Sequence, residues 1–134
     1  MMVYAVIDTN VLVSALITHN PQSATSRVVR HLLDGDFVPL YDGDIIEEYS
    51  DVLHRKKFKL LPEVADSLIS FIIENGVETD RRAFGEPMPD EDDRVFYEVS
   101  LSMDDSFLVT GNQKHYPASP KVISPAGFVS IMGR

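Results

Sequence analysis

Continuous apolar runs and amphipathic stretches alternate along this chain. Val3-Tyr4-Ala5-Val6-Ile7 is apolar and β-branched, the signature of a fully buried strand. It leads at once into residues 10–17, whose apolar positions suit a short helix ended by His19-Asn20-Pro21. Val28, Val29, Leu32 and Leu33 form one face of a second helix over 22–34, closed by Gly35. Phe37-Val38-Pro39-Leu40-Tyr41 reads as a second strand, in which Pro39 favours an edge or strand-end position. Helical spacing returns over 43–55 through Ile45, Ile46, Tyr49, Val52 and Leu53, and again over 62–75 between Pro62 and Asn75-Gly76. Val77-Glu78-Thr79 suits a short third strand, and residues 81–90, with Gly85, Pro87 and Pro89, suit a surface loop. A helix over 91–102, strands over 107–110 and 122–123, and a last helix opened by Ser124-Pro125 complete the pattern. This βα alternation predicts a three-layer α/β/α sandwich with a mainly parallel central sheet.

Length and composition narrow the picture. At 134 residues with 44% hydrophobic positions, the expectation is one globular domain over 1–134. The absence of cysteine excludes disulfides and thiolate metal sites, so any metal must be held by oxygen or histidine. No apolar run approaches the roughly 20 residues of a membrane span, and the N-terminus has no secretory signal pattern. The expectation is a cytoplasmic protein with no membrane partner. The net charge of −9, from 12 basic against 21 acidic residues, argues against a basic nucleic-acid coat. It allows an enzyme that reaches nucleic acid through bound cations.

The acids are placed unevenly along the predicted elements. Asp8 ends the first strand, Asp42 and Asp44 follow the second, and Asp90, Glu91, Asp92 and Asp93 open the helix before the fourth. Asn112 follows that strand after Thr110-Gly111. Carboxyl ends of parallel strands face the crevice where open α/β sheets bind ligands. Asp8 also suits a helix N-cap, so on its own it supports either role. Asp42 or Asp44 suits a cap, and acids at 90–93 suit a helix dipole. Four consecutive acids nevertheless repel one another, and capping uses only one or two. Glu48 borders the buried stripe of its helix, whereas Glu47 points outward. Three or four such carboxylates meeting at one edge would form a hard-oxygen site for Mg²⁺ or Mn²⁺, suited to phosphoryl chemistry. Crowded carboxylates should also raise the pKa of at least one member.

Val6-Ile7-Asp8-Thr9-Asn10-Val11-Leu12-Val13-Ser14-Ala15 resembles the opening motif of PIN-domain ribonucleases. Glu48-Tyr49 with Val52-Leu53 and Arg55-Lys56-Lys57-Phe58 resembles the second. Pro89-Asp90-Glu91-Asp92-Asp93 with Phe96, then Leu108-Val109-Thr110-Gly111-Asn112, resembles the third and fourth. Val122-Ile123-Ser124-Pro125 with Phe128 is similar to the ending. The branch resembled is that of toxin components of bacterial toxin–antitoxin systems. The resemblance implies catalytic, metal-binding acids at Asp8, Glu48 and Asp93, with Asp92 as an adjacent metal-binding acid. It implies that Thr9, Asn10, Thr110 and Asn112 surround and orient them; local backbone capping serves equally well for Thr9 and Thr110. Asn112 stands where the family often has a fourth acid, so it brings no charge.

The activity implied is hydrolysis of RNA by metal-activated water, with Mg²⁺ or Mn²⁺ as cofactor. Arg55, Lys56 and Lys57, with Lys59, and separately Lys114 are the candidate RNA-backbone contacts. His115 could also touch phosphate, though a loop histidine is more often simply exposed. A small antitoxin and a second copy of the chain are the implied protein partners. The alternative is a catalytically weak or inactive module of the same fold that binds RNA or protein. A response-regulator reading fails, because it needs paired acids after strand one and a Lys after the last strand.

Overall fold

The computed structural model describes residues 2–133. Five parallel strands form one sheet: β1 (Tyr4–Ile7), β2 (Val38–Tyr41), β3 (Val77–Glu78), β4 (Phe107–Val109) and β5 (Val122–Ile123). Six helices flank it: α1 (Thr9–Ile17), α2 (Ala24–Leu33), α3 (Gly43–Leu53), α4 (Pro62–Asn75), α5 (Arg94–Leu101) and α6 (Pro125–Met132). The strand order β3-β2-β1-β4-β5 gives the expected three-layer α/β/α arrangement. Ala5, Val6 and Ile7 of β1 and Leu108 and Val109 of β4 are almost wholly buried, as strands covered on both faces must be.

Helix ends follow the local chemistry. Ser23 caps α2 through the Ser26 N–H, Asp42 caps α3 through the Ile45 N–H, and Ser124 caps α6 through the Gly127 N–H. Gly35 follows the end of α2 with φ +75°, a conformation that glycine adopts without a steric penalty. Gly76 is required for another reason. A Cβ there would lie 2.5 Å from the carbonyl oxygens of both Ile72 and Pro39, where α4 hands over to β3.

Two expectations need correction. Of the two positions expected for Pro39 the edge is excluded, because β2 runs between β1 and β3; Pro39 lies next to the start of the strand. Val38 donates its N–H to Val3 on the β1 side, and pairing with β3 begins only at Leu40. The missing N–H of Pro39 therefore falls on the β3 side, one residue before that ladder starts, and no sheet bond is lost. The helix expected over 91–102 is also two elements. Glu91–Asp93 is a 3₁₀ turn and α5 begins at Arg94. Asp90 caps the turn through the Asp92 N–H at 3.0 Å, which closes the tighter geometry.

The order of strands determines where the site lies. Chain connections leave β1 toward β2 on one side, while β4 pairs with it on the other. The carboxyl ends of β1 and β4 thus border the switch point of the sheet, where open α/β folds bind ligands.

Candidate active site

Asp8 leaves β1 at that switch point and is only 4% exposed. It stands at the N-cap position of α1, yet its side chain makes no capping hydrogen bond. Its Oδ2 instead accepts from the Thr110 hydroxyl at 2.8 Å and the Tyr116 hydroxyl at 2.9 Å. Burial pushes the Asp8 carboxyl up, against the downward pull of these two hydroxyls. The Asn10 backbone N–H, at the second position of α1, adds a weaker downward pull without completing a cap hydrogen bond. Tyr116 is itself buried, and its phenol is pushed far above its ordinary range by burial and by the Asp8 charge.

Glu48 arrives from α3. Helical spacing buries Ile45, Tyr49 and Leu53 and leaves Glu48 half-buried beside them, with Glu47 exposed. The Tyr49 hydroxyl donates to the carbonyl of Ile7, which ties α3 to the end of β1. Thr9 donates its hydroxyl to Glu48 Oε2. Glu48 is pushed up first by burial; Thr9 opposes the shift and the Asp8 charge adds to it. Thr9→Val keeps the volume and removes this hydroxyl. The expected outcome is a 10–100-fold weaker divalent-cation affinity with little change in folding, measured by calorimetric titration; unchanged affinity would refute the orienting role.

Asp93 ends the 3₁₀ turn before α5. Its carboxyl is pushed up to about 6, first by burial and next by the charge of Asp8. His115 Nδ1 lies 3.1 Å from Asp93 Oδ2 and 3.6 Å from Asp90 Oδ2. Burial is the leading cause of all three shifts, and the Asp8 charge adds to those of Glu48 and Asp93, so both carboxyls lie within electrostatic reach of Asp8. Asp92 is exposed at the rim, close enough for its charge to raise Glu48.

The run 90–93 divides by role. Glu91 is bound to Arg94, which with the Met88 N–H holds its carboxyl down to about 2. Asp90 caps the turn. Thr110 links two partners, donating to Asp8 and accepting the Asn112 N–H at 3.0 Å, so capping and orienting coexist in one hydroxyl. Asn112 itself is half-buried at the start of the 3₁₀ turn Gln113–His115. Arg55 pairs with Asp51 at 3.0 Å, and its charge reaches Glu48. Lys56 and Lys57 are exposed in the 3₁₀ turn Lys56–Phe58, and Lys114 is exposed beside His115.

Sequence reasoning missed Tyr116 and left His115 without a firm role. The available signal was a His-Tyr pair in an otherwise polar turn beside a proposed acidic centre. It also missed the support beneath the 81–90 loop. Buried Glu98 accepts from the Phe84 N–H at 2.8 Å and lies 3.5–3.6 Å from the guanidinium groups of Arg94 and Arg81. Arg81 continues to Asp42 and Asp44, and Arg94 donates to the carbonyls of Phe84 and Glu86. This network secures the strap that delivers Asp90 and Asp93.

The donor set fits a divalent cation. Asp8 is a buried carboxylate whose side-chain partners are neutral hydroxyls, and two further carboxyls adjoin it, each held up by burial and acidic neighbours. Only a cation relieves such crowding without protonation, and oxygen donors suit hard ions. Among the described residues, Asp90, Asp93 and His115 also bring three ligating atoms within 4.8 Å of one another.

No curated protein and no solved structure gives a significant match to the chain. The PIN domain family model matches residues 4–114, a span that takes in β1 through β4 and every acid described above. The chain therefore belongs to the PIN domain family, whose members are generally nucleases.

Proposed function

We propose that residues 1–134 act as one nuclease domain, a metal-dependent endoribonuclease that hydrolyses RNA phosphodiester bonds by metal-activated water. We further propose that it is the toxin of a toxin–antitoxin pair. What supports the nuclease reading is that the charge of Asp8, at the end of β1, reaches both Glu48 and Asp93. These three would hold Mg²⁺ or Mn²⁺, with Asp92 at the rim as a further carboxylate. When bound, the cation supplies Lewis-acid polarisation of the phosphate and a low-pKa water.

The chain's own residues do the positioning. Thr110 and Tyr116 hold the Asp8 carboxylate in one orientation, and Thr9 does the same for Glu48. Tyr49 keeps α3, and so Glu48, against the end of β1. Arg55, Lys56, Lys57 and Lys114, all exposed, would offer cations to the RNA phosphates. An antitoxin fitted to this acidic edge would place a basic side chain among the acids, where a cation would otherwise bind.

An RNA-cleavage assay with Mg²⁺ or Mn²⁺ tests the reading. Cleavage is expected, is abolished by EDTA, and falls on the order of 10³-fold in Asp93→Asn, the several kcal/mol that a metal contributes. Cleavage that survives EDTA would overturn it. Cation binding without cleavage of any RNA would favour the alternative, a non-catalytic module, which the neutral Asn112 motivates.

A further inference from the structure

His115 has a place in the site that the resemblance does not provide. The turn Gln113–His115 is closed by the His115 N–H on the Asn112 carbonyl at 2.9 Å and the Tyr116 N–H on the Gln113 carbonyl at 3.1 Å. The two consecutive side chains then span the site. Tyr116 reaches Asp8 and His115 reaches Asp93 and Asp90. Neighbouring Asn112, the position expected to be acidic, contributes no charge.

The spacing is that of ligands around one ion. Donors about 2.1 Å from a small divalent cation at right angles are about 3.0 Å apart, and at a tetrahedral angle about 3.4 Å. His115 Nδ1 lies 3.1 and 3.6 Å from the two carboxylate oxygens. Asp93 also lies within reach of the Asp8 charge, which sets this cluster beside that acid.

We propose that Asp90, Asp93 and His115 form a mixed nitrogen–oxygen cation position beside Asp8, in which His115 supplies the donor that Asn112 lacks. The inference rests on the nuclease reading for its setting, and it adds a specificity. Imidazole favours first-row transition cations over Mg²⁺, because Mg²⁺ prefers all-oxygen shells. This position therefore selects Mn²⁺-like ions.

The test uses Mn²⁺ as probe on the full chain. Frozen samples saturated with Mn²⁺ are examined by electron spin-echo modulation for ¹⁴N coupling, and calorimetry gives Mn²⁺ and Mg²⁺ affinities. The wild type is expected to show imidazole ¹⁴N coupling. His115→Ala loses it, with Mn²⁺ affinity down at least about tenfold and Mg²⁺ affinity changed less than about threefold. His115→Asp loses the coupling but binds Mg²⁺ at least as tightly as the wild type, which also guards against a misfolded alanine variant. Asp90→Asn keeps the cap of the 3₁₀ turn and weakens Mn²⁺ by a similar factor. Coupling absent from the wild type, or retained in His115→Ala and so due to His19, His31 or His54, overturns the proposal. RNA cleavage with no ¹⁴N coupling leaves the nuclease reading standing and this inference refuted. Coupling with no cleavage does the reverse.

Discussion

Asp8→Asn is expected to lower RNA cleavage by on the order of 10³-fold while making the metal-free protein more stable, by about 3–6 °C in Tm. The two effects have one origin. Asp8 is buried with neutral hydroxyl partners, and burial raises its pKa. A raised folded-state pKa means that the folded protein binds protons more tightly than the unfolded chain. That stabilisation is complete below the unfolded value and is lost as pH rises through the folded value. Asp93, shifted from 3.8 to about 6, places the loss between about pH 4 and pH 6. Metal-free stability should therefore fall across that window, and saturating Mn²⁺ should flatten the fall by replacing the protons. Asparagine keeps an acceptor for Thr110 or Tyr116 and removes the charge. Thermal melts from pH 4 to 8, with and without Mn²⁺, check both signs. A metal-free Asp8→Asn protein that melts well below the wild type at pH 7.5 would show that the acid serves the fold.

Glu98→Ala is expected to cost about 3 kcal/mol, the low end for breaking a buried ion pair, because Arg81 and Arg94 keep some contact with water. The loss is structural at its origin and catalytic in its result. Without Glu98 the Phe84 N–H and both guanidinium groups lose a shared acceptor, and the strap over 81–90 loosens. Asp90 and Asp93 follow that strap directly. Cleavage should then fall more than the folded fraction does, with KM rising for RNA and cation affinity reduced. Glu98→Gln, which keeps an acceptor, should recover much of the stability. Denaturant unfolding read beside single-turnover cleavage separates these outcomes. An alanine variant with full stability would disprove the role of this network.

The fold was legible because its strands and helices carry different periods. β1 and β4 are unbroken apolar runs, and α3 shows a clean stripe through Ile45, Tyr49 and Leu53, so element types follow from burial on two faces or one. That the edge alternative for Pro39 fails has an equally local cause. The sequence marks a missing donor, and only strand order reveals that its side of β2 is unpaired at that residue.

The proposed site was legible in its acids and not in what holds them. Asp8 stands out at a strand end and Glu48 on a stripe border, while Asp93 lies in an acidic run from which the resemblance selects it. Glu91 is lowered to about 2 by Arg94, an i,i+3 neighbour that the sequence shows, whereas Asp93 is raised to about 6 first by burial and next by the distant Asp8 charge, which it does not. Tyr116 and Asp8 are 108 residues apart and Thr110 and Asp8 are 102 apart, contacts that no local pattern encodes.

The sequence by itself determined the alternation of elements, the parallel sheet and the set of carboxylates available at its carboxyl edge. Periodicity and capping chemistry act within a few residues, and they suffice for that. The tertiary structure alone decided which acids are raised by burial, which hydroxyls orient them and that a histidine joins them. Those properties depend on burial and on charges a few ångströms away, and strand order sets both.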